Sequence, residues 1–179
     1  AKPFIHFTAT SNDIISTAEA LRLRDASEKV LVPELVELEK TLIGIAESEK
    51  ETLQIGRTHG QHAEPITFGF TIASYISRLG GRILKIKESA SHLKGKFSGA
   101  VGAYNASSLL IKDAEEFERA VLEKLRMQPG SHSTQIVEAE HAADLMHAIV
   151  SSMGVMANIS DDMRHLQRSE IAEVYEKFE

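Results

Sequence analysis

The sequence predicts an all-α fold, a bundle of long helices, on three observations. Apolar residues recur at three- and four-residue steps over most of the 179 residues, polar segments holding Gly and Pro interrupt that pattern at few places, and no stretch reads as a strand. Ser11-Asn12-Asp13 supplies cap-type residues for a first long helix, whose stripe is Ile14, Ala18, Leu21, Leu31, Leu35, Leu38, Leu42 and Ile45. Pro33, which lacks an N–H and clashes with the preceding turn, should kink this helix or split it. From Gln54 to Thr67 the period fails around Gly56, Gly60 and Pro65, which predicts an irregular loop. A second stripe follows in Phe68, Ile72, Tyr75, Ile76, Leu79, Ile83 and Ile86, with Gly80-Gly81 allowing close helix packing. Gly95, Gly99 and Gly102 mark another irregular segment, a shorter helix is expected over about 108–125, and Gln128-Pro129-Gly130-Ser131-His132-Ser133-Thr134 reads as a polar loop. The last helix carries Ile136, Ala139, Ala142, Leu145, Met146, Ile149, Met153, Met156, Ile159, Met163 and Leu166 over about eight turns.

Length and composition bound the function. One domain over 1–179 is the expectation, and 42% hydrophobic with 26% charged residues suits a folded globular chain. A net charge of -6 argues against a nucleic-acid surface and favours small-molecule or protein partners. The absence of Cys excludes disulfides, a thiol nucleophile and Cys-ligated zinc, and fits the cytoplasm. No apolar run approaches the roughly 20 residues of a membrane span, so no membrane is expected. The start at Ala1 and the helical patterning of 173–179 without a stop signal lead us to expect a domain truncated at both ends. Helices of roughly 25 to 35 residues reach about 40–50 Å, longer than a compact domain of this size needs, which points to a homo-oligomer.

Three polar segments at helix ends carry candidate chemistry: residues 6–13, 56–65 and 131–135. Hydroxyls of Thr10 and Ser11 at a helix N-terminus suit a carboxylate or phosphate, although alone the pair is a helix cap. His59, flanked by Gly60 and near Gly56, has an imidazole whose ordinary pKa near 6.5 suits proton transfer. His59 and His62 have no evident third ligand, and His141 and His147 lie six residues apart on different helix faces, so no metal site is expected. Ser98-Gly99-Ala100-Val101-Gly102 lacks the Lys-Ser/Thr of a phosphate loop, and the charged run at 161–170 reads as a solvated face or intersubunit ion pairs.

Taken in order, these segments resemble the adenylosuccinate lyases of the fumarase/aspartase superfamily across essentially the whole chain. Thr10-Ser11-Asn12-Asp13 resembles that family's first motif, with His6 upstream; the stretch from Gly56 through Thr58-His59 to Gly69 resembles its second; the glycine turn at 98–102 with Tyr104-Asn105, and Ser133-Thr134-Gln135, also match. The argininosuccinate lyase, fumarase and aspartase patterns differ around these motifs; the alternatives are another superfamily lyase, argininosuccinate lyase-like or cycloisomerase-like, and a non-catalytic helical oligomerisation scaffold. The resemblance implies a central-domain fold and β-elimination of fumarate from adenylosuccinate and from the succinylated aminoimidazole carboxamide ribotide of purine synthesis. It implies His59 as the acid, with Thr10, Ser11, Thr58, Thr134 and Gln135 holding substrate, no metal or organic cofactor, and a homotetramer. The family's base, a Ser in a Gly-Ser-Ser-x-Met-Pro-x-Lys-x-Asn-Pro-like loop, and a second His before the first motif do not occur in 1–179. The chain alone is therefore expected to show little or no lyase activity.

Overall fold

A computed structural model describes residues 4–175. Helices dominate: α1 (Ser11–Ala26), α2 (Val32–Ser48), α3 (Phe68–Ser91), α4 (Ala114–Lys124) and α5 (Glu140–Leu166). Between α1 and α2 the chain winds as a π-helix, Ser27–Leu31, so that Pro33 falls in the first turn of α2. There its missing N–H costs least, and the wider turn absorbs the break that Pro33 predicted.

Residues group into two compact units. One comprises Ala1–Leu31 and Lys87–Met146, the other Val32–Ile86 and His147–Glu179. The first holds α1, α4, the start of α5 and a short parallel bridge of β3 (Lys94–Gly95) and β4 (Gln128–Pro129) around buried Ala20, Ala90, Leu93, Leu122, Met127 and Leu145. The second packs α2, most of α3 and the rest of α5 around Val32, Leu35, Leu42, Ile72, Leu79, Ile83, Ile86, Ala148 and Val155.

Strands do occur. The expected loop at 54–67 is an antiparallel hairpin of β1 (Leu53–Thr58) and β2 (Gln61–Thr67), with a shift in register between Ile55 and Arg57. Its pattern escapes the two-residue period because β1 is half-buried on both faces over 54–57 and β2 is exposed on both faces over 61–65. The helix expected over 108–125 begins only at Ala114, where Asp113 caps it by accepting Glu116 N–H at 2.9 Å. The last helix starts at Glu140, four residues after Ile136, and ends at Leu166, so the helical patterning expected at 173–179 does not form helix at 173–175; residues 1–3 and 176–179 lie outside the described residues. On α1 the apolar stripe did not mark the buried face: Ile14 is exposed, whereas Asp13, Thr17 and Ala20 are buried. Polar groups line this face because Thr17 bonds to the Lys96 backbone, its hydroxyl 3.1 Å from the carbonyl and 3.0 Å from the N–H.

Candidate active site

In the first unit the candidate residues hang on two buried carboxylates. Thr10 is the N-cap of α1, and Asp13 Oδ2 accepts its N–H at 2.8 Å. Asp13 also forms an ion pair with Lys96 Nζ, both side chains being shut off from solvent, and accepts the Gly99 N–H at 3.3 Å. Lys96 Nζ in turn donates to the Gly99 carbonyl at 2.9 Å. A charge pair this deep needs further hydrogen bonds to both partners, which the Thr10 and Gly99 N–H groups supply to Asp13 and the Gly99 carbonyl supplies to Lys96. Its effect is to fasten the helix start carrying Thr10 and Ser11 onto the glycine turn at 98–102.

That turn meets the loop before α5. Gly102 has φ +77°, and a Cβ there would lie 1.9 Å from the Ser133 carbonyl oxygen, so only glycine permits the approach. Glu138 shapes the loop from the other side, accepting Ser131 N–H at 3.2 Å and the Ser133 hydroxyl at 3.4 Å. Buried Glu118 accepts Phe97 N–H at 2.6 Å and the Tyr104 hydroxyl, and burial pushes the Tyr104 phenol well above its usual range, with Glu118 reinforcing the rise. Ser98, Gly102, Tyr104, Glu118 and Pro129 through Thr134 line a cavity of about 620 Å³. The buried Ser98 hydroxyl on its wall has no hydrogen-bond partner among the described residues, an unspent donor that a ligand can satisfy.

In the second unit, Thr58 pairs with Gln61, which leaves His59 and Gly60 as a two-residue turn. Both have left-handed backbones, φ 56° and 71°, as a type I′ hairpin turn requires. Gly adopts this conformation freely and His is among the few other residues enriched there. Thr58 and His59 therefore stand exposed at a hairpin tip.

The structure thus brings Thr134 into one cavity with the glycine turn to which Thr10 and Ser11 are tied through Asp13 and Lys96, and it sets Thr58 beside His59 on the hairpin. Gln135 is exposed beside Thr134. Among those residues no three His, Cys, Asp or Glu side chains form a metal-ligand cluster. The sequence reading missed Lys96, Glu118 and Glu138. Each acts through a partner distant in sequence or through a turn whose path only the fold defines.

A helical bundle carrying polar loops at helix ends and a histidine on a hairpin tip defines a class before it defines a protein. A family model described as a lyase matches residues 1–179, and the chain belongs to that family. Among curated relatives it is similar to the adenylosuccinate lyases of Archaeoglobus fulgidus, 37% identical over 177 residues, and Pyrococcus horikoshii, 39% identical over 178; each match covers 98% of this chain, and 39% and 38% of the relatives respectively. Among solved structures, a fumarate lyase from Mesorhizobium sp. BNC1 superposes with a TM-score of 0.85 at 26% identity, covering 97% of this chain and 40% of that one. A beta-carboxy-cis,cis-muconate cycloisomerase from Acinetobacter calcoaceticus sp. ADP1 superposes at 0.83 and 26% identity, covering 97% and 39%. The chain spans about two fifths of the length of the relatives it matches.

Proposed function

We propose that 1–179 is the central helical domain of an adenylosuccinate lyase that releases fumarate from adenylosuccinate, giving AMP, and from the succinylated aminoimidazole carboxamide ribotide. In this β-elimination a base takes a proton from the succinyl carbon beside a carboxylate. The electron pair left behind forms the fumarate double bond, the C–N bond breaks, and an acid protonates the departing nitrogen. His59 is the acid in this reading. Thr10, Ser11, Thr58, Thr134 and Gln135 hold the substrate's carboxylates and polar groups, since hydroxyl and amide donors stabilise an anion without competing for its proton.

The observation that carries the reading is the display of His59: an exposed imidazole on a left-handed hairpin tip, beside a threonine hydroxyl and open to a ligand. The base does not lie in 1–179 by this reading, so turnover belongs to the complete gene product. We read 1–179 as one helical-bundle domain, because α3 and α5 each supply residues to both compact units. Exposed Met146, Val150 and Met153 on α5, at steps of four and three, support self-association into a homotetramer. By length and composition α5 also passes for a membrane-spanning helix, a property shared by core helices of soluble bundles, and the lyase relationship favours a cytoplasmic enzyme.

The likeness to the muconate cycloisomerase favours a second reading, in which the same scaffold works on a carboxylated muconate-type acid without releasing ammonia or an amine. Incubating the complete gene product separately with adenylosuccinate, argininosuccinate and carboxymuconate, and following each by ultraviolet absorbance, separates the readings. Turnover of adenylosuccinate alone is expected, and turnover of either other acid in its place overturns the proposal.

A further inference from the structure

The chain beyond α5 turns back on the helix end. Ala172 N–H donates to the Arg168 carbonyl at 2.7 Å, Ala172 itself has a left-handed φ of 51°, and Glu173 N–H donates to the Leu166 carbonyl at 3.0 Å. This fold-back presents the Glu173 carboxylate to β1. Both of its oxygens are engaged by the Arg57 guanidinium, Nη1 at 3.1 Å and Nη2 closer, and Gln54 Nε2 adds a third donor at 3.3 Å. Gln54 Oε1 accepts the Thr71 hydroxyl at 2.6 Å, which extends the network to the first turn of α3. The two ionised side chains are about one-quarter exposed, at 23% and 24%, so the pair is better shielded from water than an ordinary surface ion pair.

A two-stranded hairpin is marginal by itself and its direction needs outside support. Arg57 lies on β1 two residues before His59, which begins the turn directly after that strand, so whatever holds Arg57 sets where the imidazole stands. We infer that Glu173 is a positioning residue, which clamps Arg57 and Gln54 and thereby fixes the hairpin that presents His59 to the substrate. The inference rests on the reading of His59 as the acid. It assigns the segment after α5, which carries none of the motif residues, a part in the reaction geometry, where a misplacement of about 1 Å costs about a hundredfold in rate.

The test is a double-mutant cycle in the complete gene product with Glu173→Ala, Arg57→Ala and both together. Each single variant is expected to lower kcat tenfold or more with KM changed less than threefold, and the double variant to lose no more than the worse single. Multiplying losses, or an unchanged kcat in Glu173→Ala, overturns the inference. Amide hydrogen exchange on the same proteins gives a readout independent of turnover: faster exchange in the hairpin of Glu173→Ala, with α2 unchanged, is expected. If the parent releases no fumarate, the lyase reading fails, while faster hairpin exchange still upholds the clamp and unchanged exchange overturns it.

Discussion

At the scale of single residues, side chains open to a ligand differ in their supports from glycines that a tight approach requires. His59 is exposed at a turn that its own backbone conformation permits, so His59→Ala should leave the fold intact while lowering kcat of the complete protein by roughly 10²–10⁴-fold. Unchanged circular dichroism beside that loss is the check. Gly102 is the opposite case. With a left-handed φ and the Ser133 carbonyl where a Cβ would go, Gly102→Ala should displace the 130–134 loop and destabilise the chain by about 1–3 kcal/mol, read by urea denaturation. Thr10, Ser11, Thr58, His59, Thr134 and Gln135 can be proposed from the sequence because each lies in a short contiguous pattern. Lys96 was not, since its partner Asp13 is 83 positions away and a lysine after a glycine looks like a solvated charge.

At the scale of elements, the long helices were legible from their period and the hairpin was not. β1 is uniformly half-buried over 54–57 and β2 uniformly exposed over 61–65, so no alternation records them, and Gly56, Gly60 and Pro65 read first as breakers. Pro33 located a break in the first helix, but the π-helix that absorbs it depends on packing beyond the local sequence. The start of α1 is joined to the glycine turn by a buried ion pair, which makes the junction sensitive to unpaired charge. Lys96→Met strands the Asp13 carboxylate and should cost about 3–5 kcal/mol, whereas Asp13→Asn with Lys96→Met should cost less; thermal unfolding compares them. The hairpin clamp has a pH signature. Hydrogen bonding to Arg57 holds the Glu173 carboxyl below its ordinary value near 4.5. A depressed carboxyl stabilises the fold above its unfolded value and loses that contribution as pH falls through the folded value. The stability gap between parent and Glu173→Gln, measured by urea denaturation, should therefore hold steady at neutral pH and close on acidification below about pH 4.5.

At the scale of the whole molecule, α5 is about 40 Å long at 1.5 Å per residue and carries two kinds of apolar surface. Leu145, Ala148 and Val155 are buried, while Val150 and Met153 stand 64% and 54% exposed. Leu145→Asp should destabilise the chain by several kcal/mol in thermal unfolding. Val150→Asp should leave that stability nearly unchanged and weaken self-association in analytical ultracentrifugation; equal assembly in the variant would remove the α5 face from the interface. The fold class was legible at this scale because helical period persists over whole helices. The division into two compact units was not, because α3 and α5 run through the boundary without a change in composition. Most direct for the account is fumarate release from adenylosuccinate by the complete gene product, run beside its His59→Ala variant. Release by the parent with a loss of a hundredfold or more in the variant is the predicted result, and equal release by both, or none by the parent, would contradict it.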